Sequence, residues 1–169
     1  MITTQLLRPE SIVVVGASNN VHKPGGAILK NLINGGYRGE LRAVNPKETE
    51  VQGIPSFADA KDIPDTDLAI LAIPAALCPD VVEALASGKQ TKAFIILSAG
   101  FGEETHEGAL LEERILATVN TYGASLIDAD FSACFTQVPG AALLQAGGTG
   151  RKPRAVLSAI LPGAAQALA

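Results

Sequence analysis

Ile12-Val13-Val14-Val15-Gly16-Ala17-Ser18 joins an apolar, β-branched run to a glycine and two small residues, and Gly25-Gly26 follows at the head of a helix-like segment. Strand, small-residue loop and helix in that order form a cradle for an anion. Backbone N–H groups and the positive end of the helix dipole then face the same point. Working outward, four further runs share the character of the first: Leu41–Val44, Leu68–Ile73, Ala93–Leu97 and Ala124–Ile127. All are short, apolar on both faces and bounded by Gly, Pro or Asn, as strands buried on both sides of a parallel sheet should be.

Helical patterns separate them. Gly25–Ile33 carries Ile28, Leu29, Leu32 and Ile33 at helical spacing, and Gly35-Gly36 marks its stop. Pro79–Ala86 has Val81, Val82 and Leu85 as its stripe, with Gly88 after its end. Thr105–Tyr122 is the longest, with Leu110, Leu111, Ile115, Leu116 and Val119 expected to face the core and Glu103, Glu104 and Glu107 near its start, where negative charge suits the dipole. Alternation of this length predicts an α/β fold: a doubly wound, mainly parallel five-stranded sheet with helices on both faces. Ligands of such sheets sit beyond the carboxyl ends of the strands.

The 169 residues are 47% apolar and 18% charged, an ordinary globular mixture long enough to bury a core. Aromatic residues are scarce at 4%, so aliphatic side chains must fill the interior. A net charge of −4 offers no footprint for nucleic acid or an anionic membrane. No apolar run approaches the roughly 18 residues of a membrane span, and Met1-Ile2-Thr3-Thr4 does not read as a signal peptide, so a cytoplasmic protein is expected. Cys78 and Cys134 are too few and too far apart for a disulfide framework or a metal cluster. Cys78, in an apolar setting, reads as packing.

The strand-end loops form a set. Gly16-Ala17-Ser18-Asn19-Asn20 follows the first strand, with Lys23 beyond it, and Ser18 stands where a dinucleotide fingerprint would have its second glycine. Asn45-Pro46-Lys47 follows the second, where a nicotinamide dinucleotide site would place an Asp or Glu for the ribose hydroxyl. Lys47 suits a phosphate instead, although Glu48 and Glu50 are near. Ile73-Pro74-Ala75-Ala76 follows the third, and its small residues let a ring or ribose approach the backbone. Ser98-Ala99-Gly100-Phe101-Gly102 follows the fourth. Each loop alone reads as a simple turn, but together they would border one crevice. His22 and His106 read as solvent-facing, and no nucleophile–base pairing emerges from the pattern.

Val-Gly-Ala-Ser at 15–18, Val-Asn-Pro-Lys at 44–47, Ala-Ile-Pro-Ala at 72–75 and Leu-Ser-Ala-Gly-Phe at 97–101 together resemble the N-terminal CoA-binding domain of NDP-forming acyl-CoA synthetases, the group that includes the α subunit of succinyl-CoA synthetase. The resemblance covers residues 8–127 and implies a Rossmann-like domain that binds coenzyme A or acyl-CoA. By that resemblance, Gly16, Ala17 and Ser18 line the nucleotide phosphates with Lys23 close by. Asn45, Pro46 and Lys47 hold the ribose and its 3′-phosphate, Ile73 and Pro74 pack on the adenine, and Ser98, Ala99, Gly100 and Phe101 border the pantetheine arm.

The family departs from this sequence after the fifth strand, where Asp128-Ala129-Asp130 replaces its usual Gly-Pro-Asn. Residues 1–130 hold all 17 acidic residues and 10 basic ones, a balance of −7, whereas residues 131–169 hold only Arg151, Lys152 and Arg154, a balance of +3. Residues 128–169 are therefore expected to be an atypical Ala/Gly-rich tail. The family's phosphohistidine and ATP-grasp domains do not fit into it, which implies one domain of an acid–thiol ligase, inactive alone. The residues leave open whether the missing ligase domains are supplied in trans and whether it forms a homo-oligomer. Two alternatives stand beside this reading: a nicotinamide-binding oxidoreductase or redox sensor, and an assembly subunit that binds no ligand.

Overall fold

The computed structural model describes residues 3–98 and 105–128. A single turn, α1 (Thr4–Leu7), leads into β1 (Ser11–Val15), α2 (Pro24–Asn34) and β2 (Glu40–Val44). A hairpin of β3 (Glu50–Val51) and β4 (Ile54–Phe57) comes next, then β5 (Leu68–Leu71), α3 (Cys78–Gly88), β6 (Ala93–Ile96), α4 (His106–Tyr122) and β7 (Ser125–Asp128). The sheet order is β3-β4-β2-β1-β5-β6-β7, parallel throughout except for the antiparallel β3–β4 pair. The order runs outward in one direction from β1 through β2 and in the other through β5. The switch point, where doubly wound sheets open a crevice, therefore lies between β1 and its neighbours.

The α/β, doubly wound expectation holds, with seven strands rather than five. The two additions form the hairpin. Val51 and Ile54 pair across Gln52 and Gly53, which have φ of +51° and +81°, as a type I′ turn requires at both central positions. Strands of two and four residues, one containing Pro55, carry too little periodicity to announce themselves. The run ending at Ile73 stops as a strand at Leu71, although the Ala72 N–H still donates to the Val15 carbonyl (2.8 Å). Pro74 has no N–H with which to continue the ladder.

Consecutive residues of β1 face opposite cores. Ile12 and Val14 pack with Ile28, Leu29 and Leu32 of α2 on one side. Val13 and Val15 pack with Val82 and Leu85 of α3 and Ile115 and Val119 of α4 on the other. Helices thus cover both faces, and β1, β5 and β6 are buried nearly throughout. Two leucine assignments do not hold: Leu110 and Leu116 are 51% and 43% exposed, and Ile33 is also 39% exposed. Each residue turns a helix by about 100°, so Leu116 lies a quarter-turn away from Ile115 and Ile33 from Leu32. α4 covers the outer part of the sheet with the narrow stripe Gly108–Ile115–Val119, which leaves its flanking leucines outside. Cys78 is fully buried, as a packing residue should be, and His22 and His106 are both exposed. The expected Ala/Gly-rich tail at 128–169 begins one residue too early, because Asp128 ends β7; Cys134 and the rest of 129–169 lie outside the described residues.

Tyr37 caps the amino-terminal end of this core. It packs against the α2 side, and its hydroxyl donates to the Pro9 carbonyl at 3.0 Å. Burial, reinforced by the nearby Asp67 carboxylate, pushes the phenol from 10.0 up to about 12. A raised folded-state value means that the folded chain holds the proton more tightly than the unfolded chain. The stabilisation is therefore complete below pH 10 and is lost as pH rises from 10 towards 12. Tyr37→Phe should cost about 0.5–1.5 kcal/mol at neutral pH from the lost hydrogen bond. Urea denaturation series should show the wild type converging on the variant across that window. A gap that stays constant with pH would contradict the assignment.

Candidate anion-binding crevice at the strand ends

The loop after β1 is fixed by close approach. Gly16 has φ of +84°, and a Cβ there would stand 2.3 Å from the Ala72 carbonyl oxygen and 2.9 Å from Ile73 Cγ2. At Gly25, in the first turn of α2, a Cβ would stand 2.0 Å from the Gly16 carbonyl oxygen. The chain can therefore turn against β5 and start its helix directly over the turn only with glycine at both places. Within the loop the Ser18 hydroxyl accepts from the Asn20 N–H (3.0 Å), and Asn20 Oδ1 accepts from the His22 N–H (3.0 Å).

Asn45 joins this loop to the end of β2. Its Nδ2 donates to the Ala17 carbonyl (2.9 Å), and its Oδ1 accepts from the Lys47 N–H (2.8 Å). Its own N–H donates to Phe57 at the end of β4 (3.0 Å). On the other side, the Ser98 hydroxyl, just past β6, donates to the Ile73 carbonyl, with Cys78 Sγ 3.6 Å from Ser98 Oγ. A continuous line of contacts therefore runs from Lys47 through Asn45, Ala17, Gly16 and Ile73 to Ser98.

That line brings together most of the residues singled out from the sequence. Gly16, Ala17 and Ser18 sit at the end of β1, and Asn45, Pro46 and Lys47 at the end of β2. Ile73 and Pro74 sit at the end of β5, and Ser98 at the end of β6. Lys23 is the exposed N-cap residue of α2, its N–H bonded to the Asn20 carbonyl (3.1 Å). Ala99, Gly100 and Phe101 lie outside the described residues.

Gln52 escaped the sequence reading. From the turn of the β3–β4 hairpin, its N–H donates to Asn19 Oδ1 (2.8 Å), and its Nε2 donates to the carbonyls of Ser18 (2.8 Å) and Gly26 (2.9 Å). The available signal was Gln52-Gly53 as a two-residue primed turn.

The strand-end loops carry hydrogen-bond donors and cations of the kind that suit an anion. Among the described residues, the N–H groups of Ala17, Ser18 and Asn19, and of Gly25 and Gly26 at the start of α2, have no hydrogen-bond partner. The exposed Lys23 and Lys47 have no ion pair among those residues. Amides at a helix start and two cations beside them favour phosphate oxygens. The described residues contain no group of three or more His, Cys, Asp or Glu able to hold a metal ion. No helix among them is long and apolar enough to cross a membrane.

Residues 10–130 match a family described as the CoA binding domain. The chain belongs to that family. Over 119 residues it is 39% identical to the ADP-forming acetate–CoA ligase II of Archaeoglobus fulgidus, which covers 70% of this chain and 18% of that enzyme. Over 127 residues it is 38% identical to the α subunit of the ADP-forming acetate–CoA ligase I of Pyrococcus furiosus, covering 72% of this chain and 27% of the subunit. A crystal structure of a Pyrococcus horikoshii protein superposes with a TM-score of 0.69 at 33% identity, over 86% of this chain and 32% of that one. The resemblance read from the four motifs therefore holds. This is a CoA-binding domain of the type found in NDP-forming acyl-CoA synthetases, and it spans under a third of each of these longer relatives.

Gly16→Ala would force a positive φ on a side chain driven into the Ala72 carbonyl. The backbone strain alone should destabilise the domain by about 1–3 kcal/mol, read as a lower urea midpoint. An unchanged midpoint would mean that the β1 turn is not held against β5 in solution.

Proposed function

We propose that the crevice binds coenzyme A or an acyl-CoA, and that the CoA-binding domain, residues 8–127, serves an acid–thiol ligase. The observation that carries this reading is the Asn45 fork. It ties the amide-rich β1 loop to the backbone of Lys47, so that two anion-favouring elements share one rim of the crevice. CoA carries phosphate at two places, a diphosphate and a 3′-phosphate on the ribose. In this reading Gly16, Ala17 and Ser18, with Lys23, take the diphosphate, and Asn45, Pro46 and Lys47 take the ribose and its 3′-phosphate. Ile73 and Pro74 pack on the adenine, and Ser98 with Ala99, Gly100 and Phe101 borders the pantetheine arm.

The nicotinamide alternative finds no support at the decisive position. The end of β2 offers the amide of Asn45, already committed on both of its atoms, and then a lysine, with no carboxylate directed to a ribose hydroxyl. Catalysis of acyl transfer would need groups beyond this domain, in the same polypeptide or in a partner. The homology to the α subunit of an ADP-forming acetate–CoA ligase supports that arrangement. This reading assigns no part in binding to residues 129–169, and the ligase domains are the expected partners.

Calorimetry with CoA and dephospho-CoA tests the assignment. Wild type should prefer CoA, with affinity falling as ionic strength rises. Lys47→Ala should weaken CoA by about 1–3 kcal/mol while leaving dephospho-CoA unaffected. Equal wild-type affinity for the two ligands would remove the 3′-phosphate from this rim.

A further inference from the structure

We infer that Gln52 is the positioning residue that keeps the β1–α2 loop in its anion-receiving form, an assignment that rests on the CoA reading above. Its side-chain amide has two hydrogens, and both are spent on carbonyls that bracket the loop, Ser18 at the start and Gly26 at the end. Those oxygens carry partial negative charge and would repel a phosphate if the loop turned them towards it. Held by Gln52, they are committed to the hairpin side. The amides between and beside them, at Asn19, Gly25 and Gly26, are left for a ligand.

The hairpin itself does not need this side chain. Val51 is fully buried in the core, Val51 and Ile54 pair across the turn, the Ser56 N–H donates to the Thr49 carbonyl (3.0 Å), and β4 pairs with β2. The amide of Gln52 makes no contact within the hairpin that these do not already secure. It projects from the first central residue of the turn, held at φ +51°. Gln52 and Asn45 thus grip the same loop, Asn45 at Ala17 and Gln52 at Ser18, Asn19 and Gly26.

The test is calorimetry and backbone-amide NMR of the full chain with CoA, comparing wild type with Gln52→Met, which keeps the length and removes both donors, and Gln52→Ala. Both variants should melt near the wild-type temperature. Each should bind CoA about fivefold to thirtyfold more weakly, and CoA should shift the amide resonances of Asn19, Gly25 and Gly26 less in the variants than in wild type. A weaker affinity with unchanged shifts at those amides would mark a purely structural role and overturn the inference. So would a variant that fails to fold, since the hairpin is secured without the amide. Variants that bind CoA as wild type does would overturn it and leave the CoA reading standing. A wild type that does not bind CoA would overturn both.

Discussion

Two hydrogen bonds from one asparagine hold the candidate site together. Asn45 donates to Ala17 and accepts from Lys47, so the ends of β1 and β2 are tied together. Parallel strands fix the spacing of their own backbones, but not where the loops beyond them go. Without a side chain bridging the loops, the lysine after β2 and the amides after β1 would sample separate orientations, and an anion would bear the entropy of ordering both. With the bridge, the ordering is built in during folding. Glycine supplies the complementary constraint, because only backbones without Cβ atoms at 16 and 25 let the turn press against Ala72 and the helix begin over it.

The consequence for chemistry is a receptor made mostly of backbone. Unpartnered N–H groups at a helix start are directional and uncharged, and they require no side-chain ordering on binding. Lys23 and Lys47 add charge at the edge, where it is screened but also steers. The domain spans 18% and 27% of two ADP-forming acetate–CoA ligase relatives. In the proposed reading, its contribution is to hold one end of a long carrier and leave the other end to groups elsewhere.

Much of this was legible in the residues because parallel strands buried on both faces write themselves as uninterrupted apolar runs. Ile12–Val15 and Ala93–Ile96 are examples, each flanked by a turn residue. Boundaries shifted by one or two residues where the ladder was ended by chemistry the pattern does not carry, as at Pro74. The hairpin was not legible. Its strands are short, and its turn places a glutamine where asparagine is the usual signal. With the hairpin went Gln52, whose role depends on a contact between residues 26 and 34 positions apart. Periodicity also over-assigned the core. It identifies which side of a helix is apolar, but not how much of that side the sheet edge can cover, so Leu110 and Leu116 were placed inside and lie outside. The Asn45-Pro46-Lys47 loop was readable as a composition, and its fork to Ala17 was not.

Backbone amide NMR during titration with CoA tests the central claim most directly. The account predicts large shifts at Ala17, Ser18, Asn19, Gly25, Gly26 and Lys47, with little change at the opposite end of the sheet around Asp65, Gln90 and Lys92. Shifts concentrated at that opposite end, or at one strand-end loop without the others, would contradict a carrier gripped by converging strand ends.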